Sequence, residues 1–146
     1  MGEKTTFIMV GIGEILWDML PQGKQLGGAP ANFACHAAQL GNSGVIVSSV
    51  GNDSLGSEIV DILEKKNVQH LISVQDEYPT GTVSVDLDSD GVPTYTIHED
   101  VAWDHIELAK QHTELAATAD VICYGSLACR HNDSAKAIVE CIEATP

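Results

Sequence analysis

The chain has 146 residues, 44% of them hydrophobic, enough for one globular domain with its own core. Asp and Glu number 21 against 7 Lys and Arg, a formal charge of −14, which argues against nucleic acid or an anionic membrane surface as partner, because phosphates are held by cations. Four cysteines, Cys35, Cys123, Cys129 and Cys141, form no CxxC pair and are too few for a disulfide scaffold, so they read as reduced thiols of a cytoplasmic protein.

In chain order, FIMVGIG at the N-terminus is too short, and too soon followed by Glu14 and Asp18, for a signal peptide or a membrane span. Residues 7–16 read as a first, mostly buried strand, and MLPQGKQ after it as a polar loop. GGAP leads into an alanine-rich helix over 31–40, stopped by Gly41. VIVSSV at 45–50 is a second strand, GNDSLG a turn, and 57–66 a helix with Ile59, Ile62 and Leu63 on one side. This β-α-β-α order predicts an α/β fold with a parallel, doubly wound sheet. The rhythm then breaks. GTVSVDL at 81–87 and PTYTIH at 93–98 alternate with a period of two around Asp88-Ser89-Asp90-Gly91, which predicts an antiparallel hairpin inserted as a flap. A helix near 106–116, a strand over 121–124, a GSLA loop and a helix from about Asp133 resume the α/β order. His98, His105 and His112 recur every seven residues but straddle different elements, and HEDVA lacks the second histidine of HExxH. The histidines therefore read as solvated, and no metal site is expected.

Several chemistries are absent. GIGEIL has Leu16 where a dinucleotide-binding loop needs its third glycine, and neither GxxxxGK[ST] nor GxSxG occurs. What is left is the rim. A parallel sheet binds ligands beyond the carboxyl ends of its strands, and Asp18 and the segment from Gly27 to Asn32 fall there. Glycines admit a ligand to the backbone, Pro30 suits a first helical turn, and a carboxylate beside an amide suits vicinal hydroxyls. That chemistry fits a polyol or sugar. Taken singly, the same residues fit a plain helix-entry turn and a surface aspartate, and their types alone leave both readings open.

The combined pattern is more specific. GEILWD, GGAPANFACHAAQLG and VGNDSLG, with PTGTVSVDLDSDGVPTYTIHEDVAWD and ICYGSLACR later, closely resemble the N-terminal half of the ribokinase-like (PfkB) carbohydrate kinases, the fructokinase branch most of all, over residues 8–132. The resemblance implies a ribokinase-like fold in which the hairpin, with strands at about 81–100, is a lid that closes over the sugar and mediates a homodimer. It implies a sugar site made of Asp18, Gly27, Gly28 and Asn32, with Tyr95, Ile97, Ala102 and Trp103 from the lid side and Arg130 from the GSLAxR stretch. Arg130 is open to two roles, reaching the substrate or pinning a loop; Gly51, Asp53 and Gly56 match a structural turn. The family's GAGD motif, which supplies the catalytic base and the anion hole, is not among residues 1–146. No catalytic residue is therefore expected in this chain. ATP and Mg2+ are expected for the complete enzyme and not for these residues alone. The alternatives are a non-catalytic sugar-binding or dimerisation module of this fold, or a relative of the nucleoside kinases.

Overall fold

The computed structural model describes residues 6–146. Strand β1 (Ile8–Ile12) is followed by β2 (Leu16–Leu20), β3 (Gly23–Gly27), helix α1 (Ala29–Gln39), β4 (Ser43–Gly51), α2 (Ser54–Lys65), β5 (Gln69–Gln75), β6 (Thr82–Leu87), β7 (Pro93–Ile97), α3 (Lys110–Ala116), β8 (Val121–Tyr124) and α4 (Asn132–Glu143). They form two sheets, a parallel one ordered β5-β4-β1-β8 and a second ordered β3-β2-β6-β7.

Strand β4 shows why the first sheet is doubly wound. Its Val45 and Val47 join Val10, Ile12, Trp103, Ala116 and Ile138 in one core, while Ile46 and Val50 join Ala31, Ala34, Ile59 and Leu63 in another. Alternate side chains thus enter opposite cores, so both sheet faces are covered, by α1 and α2 on one side and α3 and α4 on the other. Helix α1 lies almost on the strand backbones. A Cβ added to Gly11 would overlap the Pro30 carbonyl, and one added to Gly44 the Ala34 carbonyl. No helix among the described residues is long and apolar enough to cross a membrane.

Five expectations need correction. The strand expected over 7–16 is two strands in two sheets. Gly13, at φ +139°, breaks the line after Ile12, and its carbonyl accepts a bond from Ser48 Oγ at 2.6 Å. The chain restarts at Leu16 in the second sheet, so Asp18 lies on a lid strand and not just past a strand of the main sheet. The MLPQGKQ loop is in fact the β2–β3 hairpin, which makes the lid four-stranded; its polar residues suit an edge strand. And β5, absent from the sequence reading, pairs along β4 from Val45↔Gln69 to Gly51↔Gln75. The helix expected from 106 begins at Lys110, because a 3-10 turn over Ala102–Asp104 and an extended stretch precede it. His105 and His112 are buried at 7% and 5% exposure, so neither is a solvated surface residue; His112 Nδ1 accepts from the Ala109 N–H at the start of α3.

The GNDSLG turn is built around Asp53. Its carboxylate caps α2 by accepting from Gly56 N at 2.8 Å. It also accepts from Thr80 N and Thr80 Oγ1, at 2.8 and 2.7 Å, tying the entry of the lid to the main sheet. Burial pushes this carboxyl up, but the bonds from Thr80, Gly56 and Leu55 outweigh burial and hold it below the ordinary 3.8. Asp53→Ala is expected to cost about 1–2 kcal/mol of stability near neutral pH, as loss of a helix cap does. Because the folded value lies below the unfolded one, the charged form's contribution is complete above pH 3.8 and fades as pH falls through the folded value. Urea denaturation of both proteins as a function of pH should show the gap closing only in that acid range.

Candidate functional site

The site grows from the sheet order. From β1 the chain moves to β4 and β5 on one side, then returns to place β8 on the other. This leaves a switch point between the carboxyl ends of β1 and β8, where parallel α/β sheets open a crevice. Glu14 stands there. It is 5% exposed, and its Oε2 has no hydrogen-bond partner among the described residues. The carboxylate lies against Gly125 at the tip of β8, where a Cβ would overlap it.

Gly28 closes the other wall. It precedes α1 with φ +108° and packs on the Glu14 carbonyl, where a Cβ would overlap the oxygen. Only glycine combines that backbone with that approach. Asn32 follows in the first turn of α1, exposed, its N–H donating to the Gly28 carbonyl at 2.9 Å. Gly27 meets Asp18: a Cβ on Gly27 would stand 2.5 Å from Asp18 Oδ2. Four of the expected site residues, Asp18, Gly27, Gly28 and Asn32, are therefore gathered around the mouth of α1.

The register of the second sheet brings in two more. Asp18 pairs with Gln25 on β3 and Val83 on β6, and Val83 pairs with Ile97 on β7. Val85 pairs with Tyr95. Directly opposed residues share a sheet face, so Asp18, Ile97 and Tyr95 lie on one side. Val83 on that side turns into the main core, while Tyr95 and Ile97 are 60% and 40% exposed. The Asp18 carboxylate is half-buried and makes no hydrogen bond among the described residues. Burial pushes it above the usual carboxylate range. A desolvated acceptor without donors is suited to hydroxyl groups.

Trp103 and Arg130 are differently placed. Trp103 is wholly buried, with its ring against Gly81 and its Nε1 without a hydrogen-bond partner among the described residues; Ala102 is as deeply buried. Arg130 Nε and Nη2 grip the Asp104 carboxylate at 2.8 and 2.7 Å, and Nη2 also donates to the His98 carbonyl at 2.6 Å. Its guanidinium carbon sits 4.2 Å from the Trp103 ring centre. Of the two roles open to it, this geometry is that of a loop pin. Sequence reasoning passed over Glu14, although a carboxylate one residue beyond a strand and a glycine was a usable signal.

Two substitutions test the architecture. Gly28→Ala is expected to cost more than about 2 kcal/mol, combining a disfavoured backbone with a backbone overlap. Gly41→Ala, where φ is +83° but no atom lies within 4 Å of the new Cβ, is expected to cost only about 1 kcal/mol. Equal losses in thermal unfolding would remove Gly28 from the site's foundations. Separately, Arg130→Met leaves Asp104, whose side chain is 2% exposed, without its cation and should cost about 3 kcal/mol; the double variant Arg130→Met/Asp104→Leu should recover part of it.

Residues 21–145 match the pfkB family carbohydrate kinase pattern. The uncharacterized sugar kinase PH1459 of Pyrococcus horikoshii is 30% identical over 93% of this chain and 47% of its own length. Fructokinase-2 of Oryza sativa is 31% identical over 82% of this chain and 40% of its own. The crystal structure of the Pyrococcus protein superposes with a TM-score of 0.81 at 28% identity, over 93% of this chain and 48% of that one. The apo fructokinase of Vibrio cholerae does so at 0.81 and 23% identity, over 96% and 50%, a likeness of fold. The chain spans about half the length of the curated relatives it matches. With the ribokinase-like sheet and lid in place and the family pattern running through them, the chain belongs to the pfkB family of carbohydrate kinases.

Proposed function

We propose that these residues form the sugar-binding part of an ATP-dependent, fructokinase-like kinase that phosphorylates a hydroxyl of a furanose sugar. The observation that carries this reading is the partnerless, half-buried Asp18 carboxylate beside Gly27 and Gly28, on the sheet face shared with Tyr95 and Ile97. Asp18 accepts from two sugar hydroxyls, the Gly28 backbone and Asn32 contact others, and Tyr95 and Ile97 lean on the ring. Trp103 and Arg130 contribute by fixing the base of the lid. Closure excludes water, so that phosphate passes to sugar and not to solvent.

ATP as phosphoryl donor is supported by the Pyrococcus relative, solved in complex with ATP, and fructose as first candidate by relatives named fructokinase. Mg2+ accompanies ATP in this reading. The catalytic base and the nucleotide site are assigned outside residues 1–146, in keeping with the share of the relatives' length that these residues span. A homodimer through the lid belongs to the same reading, supported by the exposed Leu87, Val92, Tyr95 and Ile97 on its hairpin. So does a cytoplasmic location, supported by four cysteines that are all free.

The 146 residues alone are expected to show no turnover in a coupled assay with ATP and fructose; ordinary turnover would put the base inside this segment. In a kinase-competent protein carrying the segment, Asp18→Ala removes charged hydrogen bonds worth about 1.5–3 kcal/mol and should weaken sugar binding roughly 10–100-fold. An unchanged KM for sugar would take Asp18 out of the site.

A further inference from the structure

Away from the sugar face, the segment after β7 and the mouth of α4 bring two histidines and an aspartate together. His105 Nδ1 lies 3.1 Å from Asp133 Oδ2, and His131 Nδ1 lies 3.6 Å from the same oxygen. One ligand atom from each of the three is within 4.8 Å of the others. We propose that His105, His131 and Asp133 bind a divalent transition-metal ion of the Zn2+ type.

The spacing fits. Bonds of about 2.0–2.1 Å at tetrahedral angles put neighbouring ligand atoms about 3.3 Å apart, between the two separations found here. The ligand set is selective as well. Two imidazoles and a carboxylate suit Zn2+, Co2+ or Ni2+, whereas Mg2+ prefers an octahedral shell of oxygens. His105 is the buried member. Its side chain is 9% exposed, its ring stacks on Tyr78 with centroids 3.5 Å apart, and its Nε2 lies 3.0 Å from Asp100 Oδ1. With Nε2–H donating to Asp100, the Nδ1 lone pair faces Asp133. This is the carboxylate–histidine–metal arrangement that orients and strengthens a ligating imidazole.

Ions reach the cluster from solvent through an adjoining cavity of about 410 Å³, to which Glu77, Glu107, Asp133 and Glu140 contribute acidic walls and Lys136 one cation. Binding exchanges a proton for the metal. Any proton that Nδ1 of either ring carries leaves to solvent as its lone pair goes to the ion. The long 3.4 Å contact from Asp133 N to His131 Nδ1 is given up at the same time. The ion would join the segment that leaves the lid to the start of α4, reinforcing the tie already made by Arg130. This site owes nothing to the sugar-kinase reading, and the failure of either leaves the other standing.

The test is titration of the chelator-treated chain with Zn2+ in a calorimeter and with Co2+ in an absorption spectrometer. The expected result is one equivalent bound, with no Mg2+ heat. Asp100→Asn should weaken Zn2+ roughly 10–100-fold through the orienting bond. His131→Ala and Asp133→Asn, on partly exposed side chains, should each weaken it at least as much. No Zn2+ binding to the unaltered chain would overturn the proposal. So would binding unchanged in either ligand variant, which would send the ion to the cysteines or elsewhere.

Discussion

The fold depends on backbone packed directly on backbone. Gly28 rests on the carbonyl of Glu14, and α1 presses its own carbonyls at Pro30 and Ala34 onto Gly11 of β1 and Gly44 of β4. With no side chain between them, helix and strands have little freedom to slide. The mouth of α1 is therefore held at the tip of β1, where the sheet order reverses. The second sheet inherits this placement, because β3 runs straight into Gly28 and α1. Move that contact and Asp18, the β2–β3 arm of the lid and the helix mouth lose their common frame.

The site couples two sheets of different character. The parallel sheet is buried on both faces and supplies rigidity. The antiparallel and mixed pairings of the lid leave one flank open to solvent, with β7 exposed along its whole length. Across the lid, one row runs Gln25, Asp18, Val83, Ile97, passing from a polar edge through the carboxylate and a core valine to an exposed isoleucine. Polar and apolar contacts thus lie side by side on one face, which suits a sugar with its hydroxyl rim and apolar C–H surface.

Much of this was legible in the residues, and what was not has physical causes. The α1 and β4 segments carry strong signals, an alanine-rich run ended by glycine and a β-branched run, and the β6–β7 hairpin alternates cleanly around its Asp-Gly turn. Strands β2 and β3 were obscured because their pairing makes a lid edge rich in Asp18, Lys24 and Gln25, with no apolar periodicity. β5 was missed because QHLISVQ mixes Gln, His and Ser with its apolar residues and none of its side chains is fully buried, giving a weak pattern. The histidines were misjudged for a different reason. Nothing local in the chain tells that His105 will stack on Tyr78 or that Asp133, 28 residues on, will join nearby Asp100 in flanking it. Nor does anything local tell that Trp103, expected as a sugar contact, will be wholly buried with its ring against Gly81.

The lid is not a flap on a single stalk. The chain crosses between the two sheets near Gly13, Gly28, Thr80 and Val101; hydrogen bonds fasten three of these crossings, from Ser48, to Asp53 and to Asp104 under Arg130, and at the fourth Gly28 packs closely on the Glu14 carbonyl. Contacts at several separated crossings hold the lid more firmly than a single hinge would. The second sheet is thus tied to the first at several points of the chain, and a movement that loosened β7 alone would first have to free the His98 carbonyl, just past that strand, from the Arg130 guanidinium.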